Sequence, residues 1–222
     1  MWETIAIIVF DIIAFFAAAA ITYRWLFKRL FDILCSGICI LVLAPLFLVL
    51  TLRNKRAEKE GKTLLTKEKF VGKKGKIIYL RKYVLSKKSG LFSVYSLLDI
   101  FEGKLSFVGV APFRPSDCEF LDEEELDRQY VKSGLINPLV LNGDEEIDYD
   151  GMLENDCDYA LKYSLWRDFK IFFSWILRKA RGEGTFYLGK TREKNYALSL
   201  LEEERIEQAA YDEALKLDLD EE

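Results

Sequence analysis

Residues 28–56 read K-R-L-F-D-I-L-C-S-G-I-C-I-L-V-L-A-P-L-F-L-V-L-T-L-R-N-K-R, an apolar run with positive charge at both ends. A helix crossing a bilayer keeps its Lys and Arg mainly on the cytoplasmic side. Here Lys28 and Arg29 precede the run while Arg53, Lys55 and Arg56 follow it, so both ends ask for the same face. The stretch 33–52 has the roughly 20 residues needed to span a bilayer core. Pro45, however, removes a backbone donor and disfavours helical geometry at Ala44. With a sharp kink there, the arm 33–44 is only about 18 Å long and enters the membrane without leaving it on the other side. A re-entrant hairpin is the reading that satisfies both charged ends, and a kinked spanning helix is the alternative. Asp32, between Arg29 and the apolar run, is expected either to pair with a basic group at headgroup level or to stand as an ordinary interfacial carboxylate.

Working outward, residues 5–23 form a second candidate membrane helix, with Trp2 at one end and Tyr23 and Trp25 at the other as interfacial anchors. No basic region precedes it, so cleavage as a signal peptide is not expected. Glu3 before the segment and Arg24, Lys28 and Arg29 after it direct the N-terminus to the far side and the remainder to the cytoplasm. Asp11 lies roughly 9 Å inside this helix, where an ionised carboxylate is costly. Two readings stay open: a polar contact to a helix of another chain, aided by the small face Ala17 to Ala20, or a protonated or snorkelling side chain.

The 222 residues leave room for one domain with a substantial core beside the membrane segments. The formal charge of −4 conceals polarity along the chain: residues 53–88 are basic, whereas 117–127, 144–158 and 202–222 are acidic. A basic block after a membrane hairpin suits an anionic leaflet or a phosphorylated ligand, with Lys73, Lys74, Lys76 and Lys82 as the residues to neutralise in a test. Nucleic acid is not an expected partner. The four cysteines (35, 39, 118 and 157) lack metal-ligand spacing and read as packing residues in a reducing compartment. Histidine is absent, which excludes Ser-His and Cys-His nucleophile schemes and the common zinc sites.

Beyond the hairpin the pattern predicts an α-rich α/β domain. Strands are expected at 63–66 and 77–83, joined by turn material at 72–75. A helix is expected over 91–101 with Gly103 as its stop, followed by a short strand at 105–108. An exposed acidic helix is expected over 122–132, a loop or short strand over 134–143, and helices over 152–161 and 165–180. The last of these carries aromatic residues around much of its circumference, and is either an interfacial or a core helix. From Asn195 the sequence predicts one amphipathic helix with a capping box at Ser199 and Glu202, running into an acidic end. Four segments result: an N-terminal transmembrane helix (1–27), the hairpin (28–56), a cytosolic domain (57–194) and an acidic helical extension (195–222).

With Lys28-Arg29-Leu-Phe-Asp32, Ala44-Pro45, Lys82-Tyr83, Gly103-Lys-Leu-Ser-Phe-Val-Gly109 and Ser164-Leu-Trp-Arg-Asp168-Phe-Lys-Ile171 in order, the sequence resembles the bacterial sugar transferases, the monotopic phosphoglycosyl transferases, over about residues 27–190. The resemblance implies a small α/β domain on the inner leaflet of the bacterial cytoplasmic membrane, standing on a re-entrant helix. It also implies a reaction in which an Asp of an Asp-Glu pair, with Mg2+ nearby, takes a phosphosugar from a nucleotide-sugar and passes it to polyprenyl phosphate.

Counting back from Gly109 places that pair on Phe92 and Ser93, neither of which can serve as the attacking carboxylate. The family's Pro-Arg-Pro after the glycine block is Val110-Ala111-Pro112 here, with Arg114 as a shifted substitute; its Arg-Pro-Gly corresponds to Lys132-Ser-Gly134, and Asn142-Gly143 is retained. Asp156, Tyr159, Ser164 and Asp168 match structural positions of the family.

The expectation is therefore a non-catalytic relative in exopolysaccharide, capsule or O-antigen assembly. It would need no cofactor and would bind membrane lipid, polyprenyl phosphate, another membrane protein or a second copy, through the N-terminal helix or the C-terminal extension. Candidate phosphate-binding residues are Arg81, Lys82, Arg114 and Lys132. The alternative is an active enzyme with a relocated site, in which Asp99 and Glu102, at i and i+3 on one helical face, hold Mg2+ beside Lys82. A structural membrane anchor without a ligand is the third reading.

Overall fold

The computed structural model describes residues 27–83, 94–142, 148–182 and 195–219, together with positions 2, 4, 7–12, 14 and 15, which are helical. Asp11 is exposed on that N-terminal helix. Ala17 to Ala20, Phe92 and Ser93, and Gly143 lie outside the described residues.

Helix α1 (Lys28–Val42) stops at Leu43, whose φ of −90° and ψ of 8° leave the helical region, and α2 (Ala44–Lys59) begins at once with Pro45 in its first turn. Proline is tolerated there because the first-turn N–H groups have no intrahelical partner. The two helices are bent by 71°. Among the described residues no single helix is long and apolar enough to cross a membrane, and this bent pair meets that test only as a pair. Leu34, Ile38 and Leu41 of α1 and Leu48 and Leu52 of α2 stay exposed.

After the hairpin, β1 (Leu65–Val71) and β2 (Ile77–Tyr83) pair antiparallel, from Leu65 opposite Tyr83 to Val71 opposite Ile77. The second strand lies where the alternation predicts it. The first runs later than 63–66, through Lys67-Glu68-Lys69, because cross-strand pairing rather than local apolarity sets its extent. Glu68, for example, receives Lys82 at 2.6 Å. Helix α3 (Ser96–Glu102) ends at Gly103, whose φ of +87° only glycine adopts without strain, and a Cβ there would stand 2.9 Å from the Arg29 guanidinium.

Strands β3 (Ser106–Val108) and β4 (Gly134–Ile136) pair parallel. Their backbones approach so closely that a Cβ on Gly109 would lie 2.3 Å from the Lys132 carbonyl oxygen. This explains the last glycine of the G-x-x-S-F-V-G block: it admits neighbouring backbone rather than a ligand. A four-residue helix, α4 (Pro115–Cys118), precedes β4 in the chain, and α5 (Tyr149–Lys162) and α6 (Leu165–Ala180) follow it. One core gathers Ile100, Phe107, Val108, Ile136, Tyr159 and Ile171, against which Phe31, Cys35 and Cys39 of α1 pack. A second joins Phe113, Tyr149 and Met152 to Tyr196 and Leu200 of the C-terminal segment.

Three sequence expectations are corrected. Residues 122–132 are not an exposed acidic helix: the backbone forms a 3-10 turn (Glu125–Tyr130) that buries Arg128 against Asp156, with the guanidinium 3.6 Å from the centre of the Phe113 ring. The single helix expected from Asn195 is two helices, α7 (Tyr196–Glu202) and α8 (Gln208–Lys216), because the chain turns at Glu204, whose φ is +59°. Ser199 caps nothing: it is buried within α7 and its hydroxyl donates to the Tyr196 carbonyl at 2.8 Å. On α6, Asp168 and Ile171 are buried while Trp166, Phe173 and Leu177 are exposed, so one face belongs to the core and the other to the surroundings.

Candidate functional site at the root of the hairpin

The first turn of α1 is where the apolar hairpin meets the domain, and its charged side chains point into protein. Lys28 Nζ donates to Asp168 Oδ2 at 2.5 Å, to the Tyr159 hydroxyl at 2.9 Å and to the Val108 carbonyl at 3.1 Å. The Tyr159 hydroxyl in turn donates to Asp168 Oδ1 at 2.5 Å. Arg29 donates to the carbonyls of Ile100 and Phe101, at 2.8 and 2.7 Å, and so satisfies the end of α3 that Gly103 leaves open.

Asp32 is 2 % exposed and accepts from Ser106 Oγ at 3.0 Å and the Phe107 N–H at 2.9 Å. The expectation that it meets a basic group at headgroup level is corrected. The unpaired main-chain donor at the start of β3 is nearer than any headgroup, and burial makes that hydrogen bond obligatory. The K-R-x-x-D motif thus fixes the angle at which the hairpin leaves the domain, Lys28 reaching β3, α5 and α6, Arg29 the end of α3, and Asp32 β3.

Around this root stand two further cations, Lys73 in the turn between β1 and β2 and Lys132 just before β4. Lys132 is half-buried and Lys73 is exposed, and among the described residues neither side chain forms an ion pair or a hydrogen bond. Burial, together with Lys74 and Lys28, pushes the Lys73 ammonium below the ordinary lysine range. Burial, Arg29, Lys73 and Lys28 push Lys132 down against the opposing pull of Asp32. These mutual influences mark one positive region formed by Lys28, Arg29, Lys73 and Lys132. The charges of Lys28 and Arg29 are already answered by protein, whereas those of Lys73 and Lys132 are open to an anion.

The other candidates are engaged elsewhere. Arg81 binds Asp99 at 2.8 Å and Glu102 at 2.6 Å. Its backbone N–H also donates to Asp99 Oδ2 at 2.9 Å. Lys82 is held by Glu68, and Arg114 reaches Glu68 at 3.5 Å with its side chain 39 % exposed. Glu102 takes Lys104 as well, at 2.8 Å, and its hydrogen bonds from Arg81 and Lys104 lower its carboxyl to about 2. Asp99 is fully buried, which pushes its carboxyl up against the bonds from Arg81.

Asp99 and Glu102 therefore tie α3 to β2 and do not offer Mg2+ a free carboxylate pair, so the reading that puts a metal there is corrected. Among the described residues no group of three His, Cys, Asp or Glu side chains could hold a metal ion. Asp156, also fully buried, is spent on the Ala111 N–H, Asn137 and Arg128. Among the described residues the donor set does not fit a hard cation.

The reading from sequence named Lys132 through its family position and Lys73 as one of a basic run. It did not foresee that the two act on one positive region. A lysine in a Gly-Lys-Lys-Gly turn gives only a weak signal, and the turn's place relative to β4 is decided by the fold.

A small α-rich domain of this kind, rooted on a bent apolar helix pair by Lys28, Arg29 and Asp32, is the class that the geometry defines. Residues 86–181 match the family model described as bacterial sugar transferase, so the resemblance read from the ordered motifs is shown for that segment, which contains the G-x-x-S-F-V-G block, Asp156, Tyr159 and Asp168. The match makes the segment similar to a bacterial sugar transferase. No curated protein matches the chain.

Proposed function

We propose that this protein is a membrane-bound, sugar-transferase-like component of polyprenyl-phosphate-linked glycan assembly that binds the phosphate of a lipid at Lys73 and Lys132 and does not transfer a phosphosugar. The observation that carries the reading is that half-buried Lys132 and exposed Lys73, whose charges act on one another near the root of an apolar hairpin, form no ion pair among the described residues. A lipid phosphate fits because its chain lies along the exposed apolar side chains of α1 and α2 while its headgroup reaches the cations. The hairpin is read as re-entrant, with its bend at Leu43 inside the membrane and the domain on the cytoplasmic face.

The absence of transfer is argued from residue chemistry. Phe92 and Ser93 stand where the family resemblance puts the Asp-Glu pair, and a phenyl ring supplies neither a nucleophile nor a metal ligand. The active-enzyme alternative loses its proposed carboxylates to Arg81 and Lys104.

The test is titration of polyprenyl monophosphate into the full-length protein in nanodiscs. Lys132→Gln and Lys73→Gln should each weaken binding about tenfold or more, the loss of one charge-assisted contact. Unchanged affinity in both variants would remove the phosphate site. Turnover of a nucleotide-sugar into diphosphate-linked product, abolished by a substitution in this chain, would remove the non-catalytic reading.

A further inference from the structure

Helix α6 carries large apolar side chains on its outer face, where a surface helix is normally polar. Trp166 is 80 % exposed, and Phe173 and Leu177 are each 55 % exposed. At 3.6 residues per turn these three share one side, opposite the buried Asp168 and Ile171. Exposed Ile176 and half-buried Phe169 widen the stripe along one edge. Lys170, also exposed, stands at the other edge, four residues after Trp166 and three before Phe173.

The stripe continues the apolar surface of the hairpin. Phe31 of α1 meets Phe169 at 5.7 Å, and Phe169 stacks on Phe173 at 6.1 Å. On α1, Phe27 and Leu34 lie four residues before and three after Phe31, and both are exposed. A row of aromatic rings therefore joins the exposed apolar side of α1 to that of α6.

The charges beside the stripe have one sign. Asp168 is the sole acid in residues 165–180, and it is turned inward onto Lys28. The exposed charges of the helix are Lys170 and Lys179. A contiguous apolar patch rimmed by cations fits an anionic lipid surface. A second copy docked face to face would set Lys170 near its own counterpart and leave the adjoining apolar side of α1 uncovered. With 16 residues, α6 is about 24 Å long, and its inner side is held in the core by Ile171 and by the Lys28–Asp168 pair, so it meets a bilayer along its flank.

We infer that α6 is an in-plane membrane contact, with Trp166, Phe173 and Leu177 in the lipid boundary and Lys170 at the level of anionic headgroups. The indole of Trp166 suits that boundary, having an apolar body and a polar N–H, and the Lys170 stem can lie along the apolar face while its ammonium stays wet. A bent helix pair alone leaves the domain free to rotate about it. A second contact on α6 fixes that rotation. The inference rests on the reading of the hairpin as membrane-embedded, which is what brings lipid to this face.

The test is tryptophan quenching in nanodiscs that hold one copy of the full-length protein, in mixed phosphatidylglycerol and phosphatidylcholine, the latter brominated high on its acyl chains. The emission of Trp166 is the difference between the parent and Trp166→Phe, and bromination should remove most of it. Lys170→Gln, measured against the same chain with Trp166→Phe, should lower the ratio of quenched to unquenched Trp166 emission about fivefold, as expected for one cation at an anionic surface. Discs of phosphatidylcholine alone should lower it at least as much.

Leu41→Trp in the Trp166→Phe background reports on the hairpin separately, since Leu41 is exposed near the bend. Its emission should be quenched by lipid brominated deep in the chain, and failure there would remove the hairpin reading. Quenched Leu41→Trp with unquenched Trp166 overturns the α6 contact alone. Trp166 that lipid leaves bright, but that a second copy in the same disc shields from acrylamide, assigns the stripe to self-association and overturns it as well. Quenching that ignores both Lys170→Gln and the loss of phosphatidylglycerol removes the preference for anionic lipid.

Discussion

At the scale of single residues, the protein uses its charged side chains to hold main-chain groups as much as to pair with one another. Lys28 is the clearest case: one ammonium answers a carboxylate, a phenol and a carbonyl at a site with 13 % of its side chain exposed. Lys28→Met should destabilise the fold by about 3–5 kcal/mol, because buried Asp168 loses the ammonium that answers it. Denaturant unfolding in detergent measures the cost. Lys28→Met combined with Asp168→Leu should recover part of it, as expected when a buried pair is replaced by apolar groups.

Glu102 gives a pH signature of definite sign. Its carboxyl falls from the ordinary 4.5 to about 2 because Arg81 and Lys104 bond the ionised form. A depressed folded-state value adds stability that is complete above 4.5 and disappears as pH falls toward 2. The difference in Tm between the parent and Glu102→Gln should therefore be constant near neutrality and shrink over that window. Lys132 acts in the opposite sense on binding: with its ammonium below the ordinary range, affinity for a phosphate should begin to fall before pH reaches 10.5.

At the scale of elements, the hairpin shows what local sequence can decide. Pro45 ends α1 because neither its ring nor the residue before it fits a continuing helix, and the chain breaks at Leu43 and bends by 71°. Gly103 stops α3 for an equally local reason. The 3-10 turn at Glu125–Tyr130 is different, because its acidic surface residues read as helix while the burial of Arg128 against Asp156 draws the backbone tighter. Helix α6 is two-faced in a way that periodicity left open. Asp168 and Ile171 fit the core side, and Trp166, Phe173 and Leu177 the other.

At the scale of the whole molecule, the apolar helix pair and α6 lie in contact through Phe31, which meets the half-buried Phe169 at 5.7 Å and Phe172 at 5.9 Å, edge to face. The re-entrant reading proposed for the hairpin sets an expected topology. With the bend inside the bilayer, cysteines introduced at positions 24 and 62 should both be modified by an impermeant maleimide only after cells are opened, whereas one at position 3 should be modified in intact cells. Modification at 62 in intact cells would require the hairpin to cross.

The amino-acid sequence by itself determined the bent apolar pair, the second strand of the hairpin, the stop at Gly103, the extent of α6 and the family pattern over residues 86–181, because each rests on neighbours along the chain: a proline, a glycine in the left-handed region, an alternation, a motif. The tertiary structure alone decided that Asp32 caps β3 instead of facing lipid, that Asp99 and Glu102 clamp Arg81 instead of offering a metal site, that the C-terminal segment is two helices, and that Lys73 and Lys132 act on the charge of one positive region. These outcomes turn on partners far apart in the chain. Burial then makes each choice binding, since a charge or an N–H removed from water must be answered by whatever the fold brings to it.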